Sequence, residues 1–328
     1  MAAKRQRRKI KRTKKKYNKS VNPKNTKNTK NTKNTKNTKN TKNPKNKTNK
    51  FKKLICSPVA KNKDYTCYSD TALLKMREHW NARHPDVKIT ESNPRKIWEE
   101  LRYNMQNVCN VESCWLRQQF VANKLDAEMV TKTFAPNAPK KWKTNPNEWL
   151  TSIDLEKVMK QYENKYKCFN FIGPSPIDFD DHMLDGECVW KELCEFDLST
   201  ELKNGKNKIG IIFNLDPHYK NGSHWISMFI DIKKKFIFFF DSNGDKIPGR
   251  IKKLVKRIQK QAKEIGIEIQ FYENHPKEHQ KGDTECGIYS LYLIIQMLTD
   301  KKKPDHYMKH RVSDEEMARL RKKYFNFV

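Results

Sequence analysis

The sequence predicts an α+β protein. Three observations carry the prediction: short apolar runs of strand length in the second half, segments whose apolar residues recur at three- and four-residue steps, and one helix-length stretch after residue 286 that is apolar almost all round. The 328 residues leave room for one large domain or two modest ones. Composition divides them into a basic tail (1–53), a helical arm region (54–140) and a C-terminal α+β domain (141–328).

The tail is set apart by charge. The formal net charge is +31, and residues 1–53 hold 23 Lys and Arg with no Asp or Glu, so the other 275 residues carry only +8. Residues 4–16 form a basic block, and six consecutive Asn-Thr-Lys triplets fill 25–42. Such a segment has almost nothing apolar to bury and cannot offset the entropy of ordering, so it is expected to be disordered. The block can bind nucleic acid non-specifically or serve as a nuclear-import signal. It can equally be a solubilising, polyanion-sticky extension.

In the arm, Trp80, Ile97, Trp98, Leu101, Met105 and Val108 keep helical spacing, with Asn93-Pro94 as cap and first-turn proline. The Pro- and Lys-rich stretch from Ala135 to Pro146 reads as a linker. Beyond it Trp149, Leu150, Ile153, Leu155, Val158, Met159 and Tyr162 suggest a helix. Strands are expected at 169–172, 209–214, 225–232, 236–240 and 267–272, and an amphipathic helix over 250–265. Lys233-Lys234-Lys235 makes a hairpin turn between two antiparallel strands. Cys286 opens the apolar helix, whose burial places it at the centre of the domain.

No stretch approaches the roughly 18 apolar residues that a spanning helix needs, and the basic start is followed by no apolar core of a secretory signal. With the eight cysteines (56, 67, 109, 114, 168, 188, 194 and 286) scattered along the chain, reduced thiols in a cytosolic or nuclear-type compartment are expected.

Four positions form a chemically consistent set. His224 starts a strand in Gly-Ser-His-Trp-Ile, and Asp241 ends the next one in Phe-Phe-Phe-Asp-Ser-Asn-Gly. A tight hairpin makes these ends neighbours, so the carboxylate can hold one imidazole nitrogen while the other takes a proton. Cys286 stands at a helix N-terminus, where backbone N–H groups and the macrodipole favour a thiolate, and Gly287 is expected to let a substrate backbone come close. Gln280, six residues earlier, offers an amide to an oxyanion beside the Cys286 N–H.

His-Trp on a strand, Asp at the end of the next, then Gln-x5-Cys-Gly opening a helix resembles the catalytic set of the adenain and SUMO proteases. The order His–Asp–Gln–Cys distinguishes them from papain itself, which runs Gln–Cys–His–Asn. Trp149-Leu-Thr-Ser-Ile-Asp-Leu is similar to the opening of that family's catalytic domain. Residues 149–162, Phe171-Ile-Gly-Pro-Ser-Pro-Ile-Asp, the region from Cys109 to Trp115, Trp80-Asn81 and His84-Pro85 look most like the proteases of large DNA viruses. Glu285 precedes the cysteine where many members have Asp, and some viral relatives have Asn in place of Asp241.

The resemblance implies a papain-like core of adenain and ubiquitin-like-protease type: a mixed sheet packed on a central helix that bears the nucleophile. It implies a cysteine endopeptidase with no cofactor, cleaving after small residues at Gly-Gly-Xaa sites and maturing viral structural polyproteins in the virion and host-cell cytoplasm. The basic N-terminus would permit nuclear entry. One alternative keeps the chemistry and takes a ubiquitin-like protein as substrate. Another is a non-enzymatic, nucleic-acid-associated virion protein. His275-x3-His279 and His306-x3-His310 lack the Glu of a zinc-protease helix. Cys109-x4-Cys114 and Cys188-x5-Cys194 could contribute ligands to a structural zinc, with no second pair at a familiar distance.

Overall fold

One five-stranded sheet organises the C-terminal half: β1 (Phe169–Pro176), β2 (Lys208–Asn214), β3 (Trp225–Asp231), β4 (Phe236–Phe240) and β5 (Gln270–Glu273) lie side by side in that order. The outer pairs β1/β2 and β4/β5 run parallel and the inner pairs antiparallel, so the sheet is mixed. This computed structural model describes residues 51–60, 63–121 and 132–328. The expected disorder and nucleic-acid binding of the tail therefore fall, but for its last three residues, outside the described residues.

Helices cover both faces. In the arm, α1 (Asp70–Arg83) is capped by Ser69, and α2 (Pro94–Met105) by Asn93, whose side chain accepts from the N–H groups of Arg95 and Lys96. With the one-turn α3 (Glu112–Trp115) they enclose a core of Leu73, Met76, Trp80, Ile97, Leu101 and Trp115. Val108 does not join it and is 69% exposed. The helix has already ended, and the Val108 N–H folds back on the Met105 carbonyl in a turn.

Next, α4 (Ser152–Lys165) starts at a reciprocal capping box between Thr151 and Asp154. That start leaves Trp149 and Ile153 off the buried face. The short α5 (Lys191–Cys194) and α6 (Leu198–Lys203) follow β1. Behind the sheet lies α7 (Gly249–Glu264), packing Ile251, Leu254, Val255 and Ile258 on Ile226, Met228, Ile230, Ile237 and Phe239. On the front, α8 (Cys286–Leu298) meets the alternate residues Trp225, Phe229, Phe238 and Phe240, with α9 (Pro304–Lys309) and α10 (Asp314–Tyr324) beside it. Because both faces are covered, β4 reads as an unbroken apolar run and β3 as a largely apolar one, interrupted by Ser227 and closed by Asp231, rather than as alternating strands. At Gly210 on β2, a methyl group would come within 2.8 Å of Ile294, so glycine is what lets α8 close on the sheet.

Two expectations are corrected. Residues 135–146 are a packed strap rather than a linker. Trp142 is 3% exposed, its indole N–H donates to the Glu148 carbonyl at 2.9 Å, and the Ala138 N–H donates to Asn326. One buried tryptophan outweighs a Pro- and Lys-rich composition. The cysteines are not all thiols: Cys56–Cys67, Cys109–Cys114 and Cys188–Cys194 are bonded, which leaves Cys168 and Cys286 free. Spacing along the chain does not reveal pairs brought together by turns. No helix among the described residues is long and apolar enough to cross a membrane.

Candidate active site

The β3–β4 hairpin builds the first half of the site. Its turn is fastened by the Lys234 N–H donating to the Asp231 carboxylate at 2.9 Å, with Lys235 at φ 59°. The register pairs Ser227 with Phe240, which sets the residue before β3 beside the residue after β4. His224 and Asp241 meet there, and the imidazole Nε2–H donates to Asp241 Oδ1 at 2.8 Å. The carboxylate is itself held rigidly. Asn243 N–H donates to the same oxygen at 2.8 Å, and Asn274, just past β5, exchanges two hydrogen bonds with the Asp241 backbone.

Cys286 supplies the second half from the first position of α8, with 1% of its surface exposed. Its thiol lies close enough to the His224 ring to act on the charge of the imidazole. With Nε2 committed to Asp241, Nδ1 is the nitrogen left for the sulfur. Burial alone would push this imidazole down. Hydrogen bonds to Asp241 and Cys286, and the charges on them, outweigh burial and raise it to about 10.

Gln280 is brought to the same place by backbone pairing. The N–H groups of His279 and Gln280 both donate to the Ser242 carbonyl, one residue past Asp241. Its buried side-chain oxygen accepts from the Ser242 hydroxyl at 2.9 Å, which turns Nε2 the other way to donate to Gly282 O at 2.8 Å. A primary amide carries a second N–H on that nitrogen.

The structure joins His224 to Asp241, sets Cys286 close to His224, and fastens Gln280 to Ser242, the residue after Asp241. It corrects the role expected of Gly287. A methyl there would meet Leu150 at 3.1 Å and Trp225 at 3.4 Å, so the close approach is made by the protein's own side chains. Leu150 is in turn held by its carbonyl, which accepts from the Trp225 indole at 3.0 Å.

Comparison with known proteins now decides the family. The model of the Ulp1 protease family, C-terminal catalytic domain, matches residues 146–327. The chain belongs to the Ulp1 protease family. It is 28% identical over 292 residues to a protein of Acanthamoeba polyphaga mimivirus named as a thiol protease, covering 83% of this chain and 93% of that one. It is 27% identical over 253 residues to a protein of African swine fever virus named SUMO-1 cysteine protease, covering 71% and 90%. The crystal structure of an African swine fever virus protease superposes with a TM-score of 0.58 at 22% identity, over 84% of this chain and 96% of that one. This shared fold extends into the helical arm. The protein is therefore a cysteine-type peptidase of the Ulp1 family, related to proteases of large DNA viruses.

Against that family frame, Arg321 on α10 is the residue that sequence reasoning missed. Its guanidinium pairs with Glu285, immediately before Cys286, at 2.7 and 3.0 Å. It also donates to the Thr284 and Glu148 carbonyls and lies 4.4 Å over the Trp142 ring. Both members of the pair are buried. Because the Glu285 carboxylate is turned to Arg321, it makes no cap to the first turn of α8, so those N–H groups stay available at the sulfur. A single arginine in a basic, amphipathic C-terminal helix gives no sequence signal of this kind.

The histidines of the first pair weighed against a zinc motif, His275 and His279, are used otherwise. His275 donates to the Gly244 carbonyl at 2.7 Å. His279 is fully buried, donating from Nε2 to Tyr307 O and accepting at Nδ1 from the Val312 N–H, each at 3.0 Å. Burial, helped by positive charge on Lys277, Arg311 and His306, pushes it down to about 4 against the Tyr307 carbonyl, so it stays neutral. A groove beside the site is walled by Trp149, Pro174, Pro176, Trp190 and Trp225.

Proposed function

We propose that the protein is an endopeptidase that cleaves after small residues, at Gly-Gly-Xaa-type sites, and that its natural substrates are viral structural polyproteins matured at assembly sites and in the virion. The observation that carries this reading is the buried sulfur–imidazole–carboxylate set, with a groove lined by Trp149, Trp190 and Trp225 next to it in the chain at Trp225. A slot lined by flat rings favours residues without side chains next to the scissile bond.

The steps follow from the positions. Cys286 Sγ attacks the scissile carbonyl carbon, and the Cys286 N–H with the second Gln280 amide N–H receives the oxyanion. The C–N bond breaks as His224 gives its proton to the leaving amine, and a thioester remains. Water then attacks the thioester while His224 takes its proton, and the C–S bond breaks to restore the thiolate. Asp241 keeps the ring in place and stabilises its charged form throughout.

The name of the African swine fever virus relative favours a second reading, in which the substrate is a ubiquitin-like protein ending in Gly-Gly. One experiment separates the two. Gly-Gly-Xaa peptides and conjugates of ubiquitin or SUMO are offered to the same preparation beside its Cys286→Ala form. Peptide cleavage by the wild type alone is expected. Turnover of conjugates only would replace the polyprotein reading, and equal activity of the variant would end both.

A further inference from the structure

Outside the catalytic set, one group of soft ligands converges among the described residues. The ligand atoms of His182, Cys188 and Cys194 all lie within 4.8 Å of one another. The local fold is shaped for this. His182 and Cys188 face each other across an antiparallel bridge, closed by the Met183 N–H on Glu187 O and the Gly186 N–H on Met183 O. Gly186, at φ 83°, makes the turn. Cys194 then returns to the Cys188 sulfur at the end of α5.

The spacing is that of two ligands on one ion. His182 Nε2 lies 3.7 Å from Cys188 Sγ. A tetrahedral zinc with its nitrogen at ~2.1 Å and its sulfur at ~2.3 Å sets them about 3.6 Å apart. Neither of the other two bonded pairs, Cys56–Cys67 and Cys109–Cys114, is completed by a third ligand among the described residues. The third pair differs by having a histidine against it.

We propose that the dithiol form of this segment is a zinc site, with His182 Nε2 and the Cys188 and Cys194 thiolates as ligands and a water in the fourth position. Binding releases the two thiol protons and leaves both sulfurs at their oxidation state. In the structure these two sulfurs are bonded to each other, so disulfide and zinc are alternative fastenings of one loop. The choice between them rests on the function proposed above. Reductant supplied to keep the Cys286 thiol active also reaches the two partly exposed cysteines of the pair and opens their bond.

The position gives the site a consequence. Val189 and Trp190 lie between the ligands in the chain and line the groove together with Trp149 and Trp225. The wall is otherwise tied back by the Val189 N–H on Asp181 O and the Trp190 N–H on Phe179 O. Zinc would cross-link the hairpin to α5 on either side of Trp190, so its removal should loosen substrate binding and spare the chemistry.

The test uses the full chain carrying Cys286→Ala, so that the catalytic thiol cannot hold the metal, purified with reductant. Metal analysis should find one zinc per chain, and replacement by cobalt should give a thiolate-to-cobalt absorption in the near ultraviolet. His182→Ala, an exposed change that leaves the core untouched, should weaken both signals. Adding Cys188→Ser should abolish them, and Cys56→Ser or Cys109→Ser should not. In the active enzyme, chelation should raise KM several-fold at unchanged kcat. A zinc-free protein with no cobalt band would overturn the proposal, as would a Cys188–Cys194 bond that persists in reductant or a band that survives the double variant. Failure of the catalytic reading looks different, because wild-type enzyme would then turn nothing over with or without metal.

Discussion

Two histidines six residues apart each hold an aspartate, and only one of them belongs to the catalytic set proposed above. His224 reaches Asp241 at 2.8 Å, and His218 reaches Asp178 at the same 2.8 Å. In both pairs the carboxylate is buried. The difference lies on the far side of the ring. The His224 side chain is 11% exposed with the Cys286 thiol beside it, whereas that of His218 is 45% exposed. Asp178 also accepts from the His218 backbone N–H at 2.9 Å, as a residue that fastens a loop does. A His–Asp distance therefore identifies a positioned imidazole and nothing more. What sets His224 apart is the sulfur on a helix end that burial presses against it.

The largest effect should come from removing that sulfur. Cys286→Ala should lower kcat by more than about a thousandfold, and thiol-directed reagents should no longer label the site. Cys168→Ala, at the other free cysteine, should leave turnover unchanged. Loss of activity in the Cys168 variant with labelling of Cys286 intact would shift the chemistry away from α8.

Arg321 tests whether the sulfur is positioned from behind. Arg321→Ala leaves Glu285 buried without its partner, which costs about 3–5 kcal/mol of stability. Denaturant melts should report that loss. Arg321→Lys keeps a charge but cannot span Glu285, Thr284 O and Glu148 O together. A variant that still folds should therefore lose kcat more than KM rises. A fully active, fully stable alanine variant would assign the Cys286 loop its geometry from elsewhere.

The history of these residues shows where sequence is informative. Phe236–Phe240, the Asn93 cap and the helix after Cys286 were legible because each signal is local: an apolar run, a side chain one turn from its N–H partners, a helix with no polar face. His224 and Asp241 could be joined because a hairpin converts sequence separation into contact by a simple rule. Arg321 lies 36 positions from Glu285 with two helices in between, and no local rule links them. Trp142 was hidden for the opposite reason, as the prolines and lysines around it describe a loop truthfully and conceal its anchor. The cysteine pairs close through turns of 5 to 11 residues, and spacing alone does not tell a bonded pair from two thiols.

Gln280→Ala should cost about 2.7–4 kcal/mol of transition-state stabilisation, or ~10²–10³ in kcat with KM nearly unchanged. Ser242→Ala, which removes only the hydroxyl that orients the amide oxygen, should cost less. An equal loss in the two variants would mean that the glutamine matters for packing rather than for the oxyanion.

Two histidines of the site should leave opposite marks on stability against pH. His224 is raised to about 10, above its unfolded value near 6.5, so its contribution is complete below about 6.5 and fades as pH climbs toward 10. His279 is lowered to about 4, so folding is unpenalised above about 6.5 and loses stability as pH falls from there toward 4. Each slope is at most about 1.4 kcal/mol per pH unit. His224→Gln should flatten the alkaline limb and His279→Gln the acid limb. Matching limbs in wild type and variant would remove that histidine from the balance.

The smallest effect should come from the second pair. His218→Asn keeps a side chain able to meet Asp178 and removes the imidazole, and His218 borders the groove beside Trp149 and Asn214. If its role is to hold the loop, kcat should stay within about twofold of wild type and any change should appear in KM. The pH–rate profile should not move at all, because the ring has no sulfur to serve. A profile displaced by His218→Asn would mean that this imidazole carries a proton in the reaction, and the contrast between the two pairs would then lie in timing rather than in role.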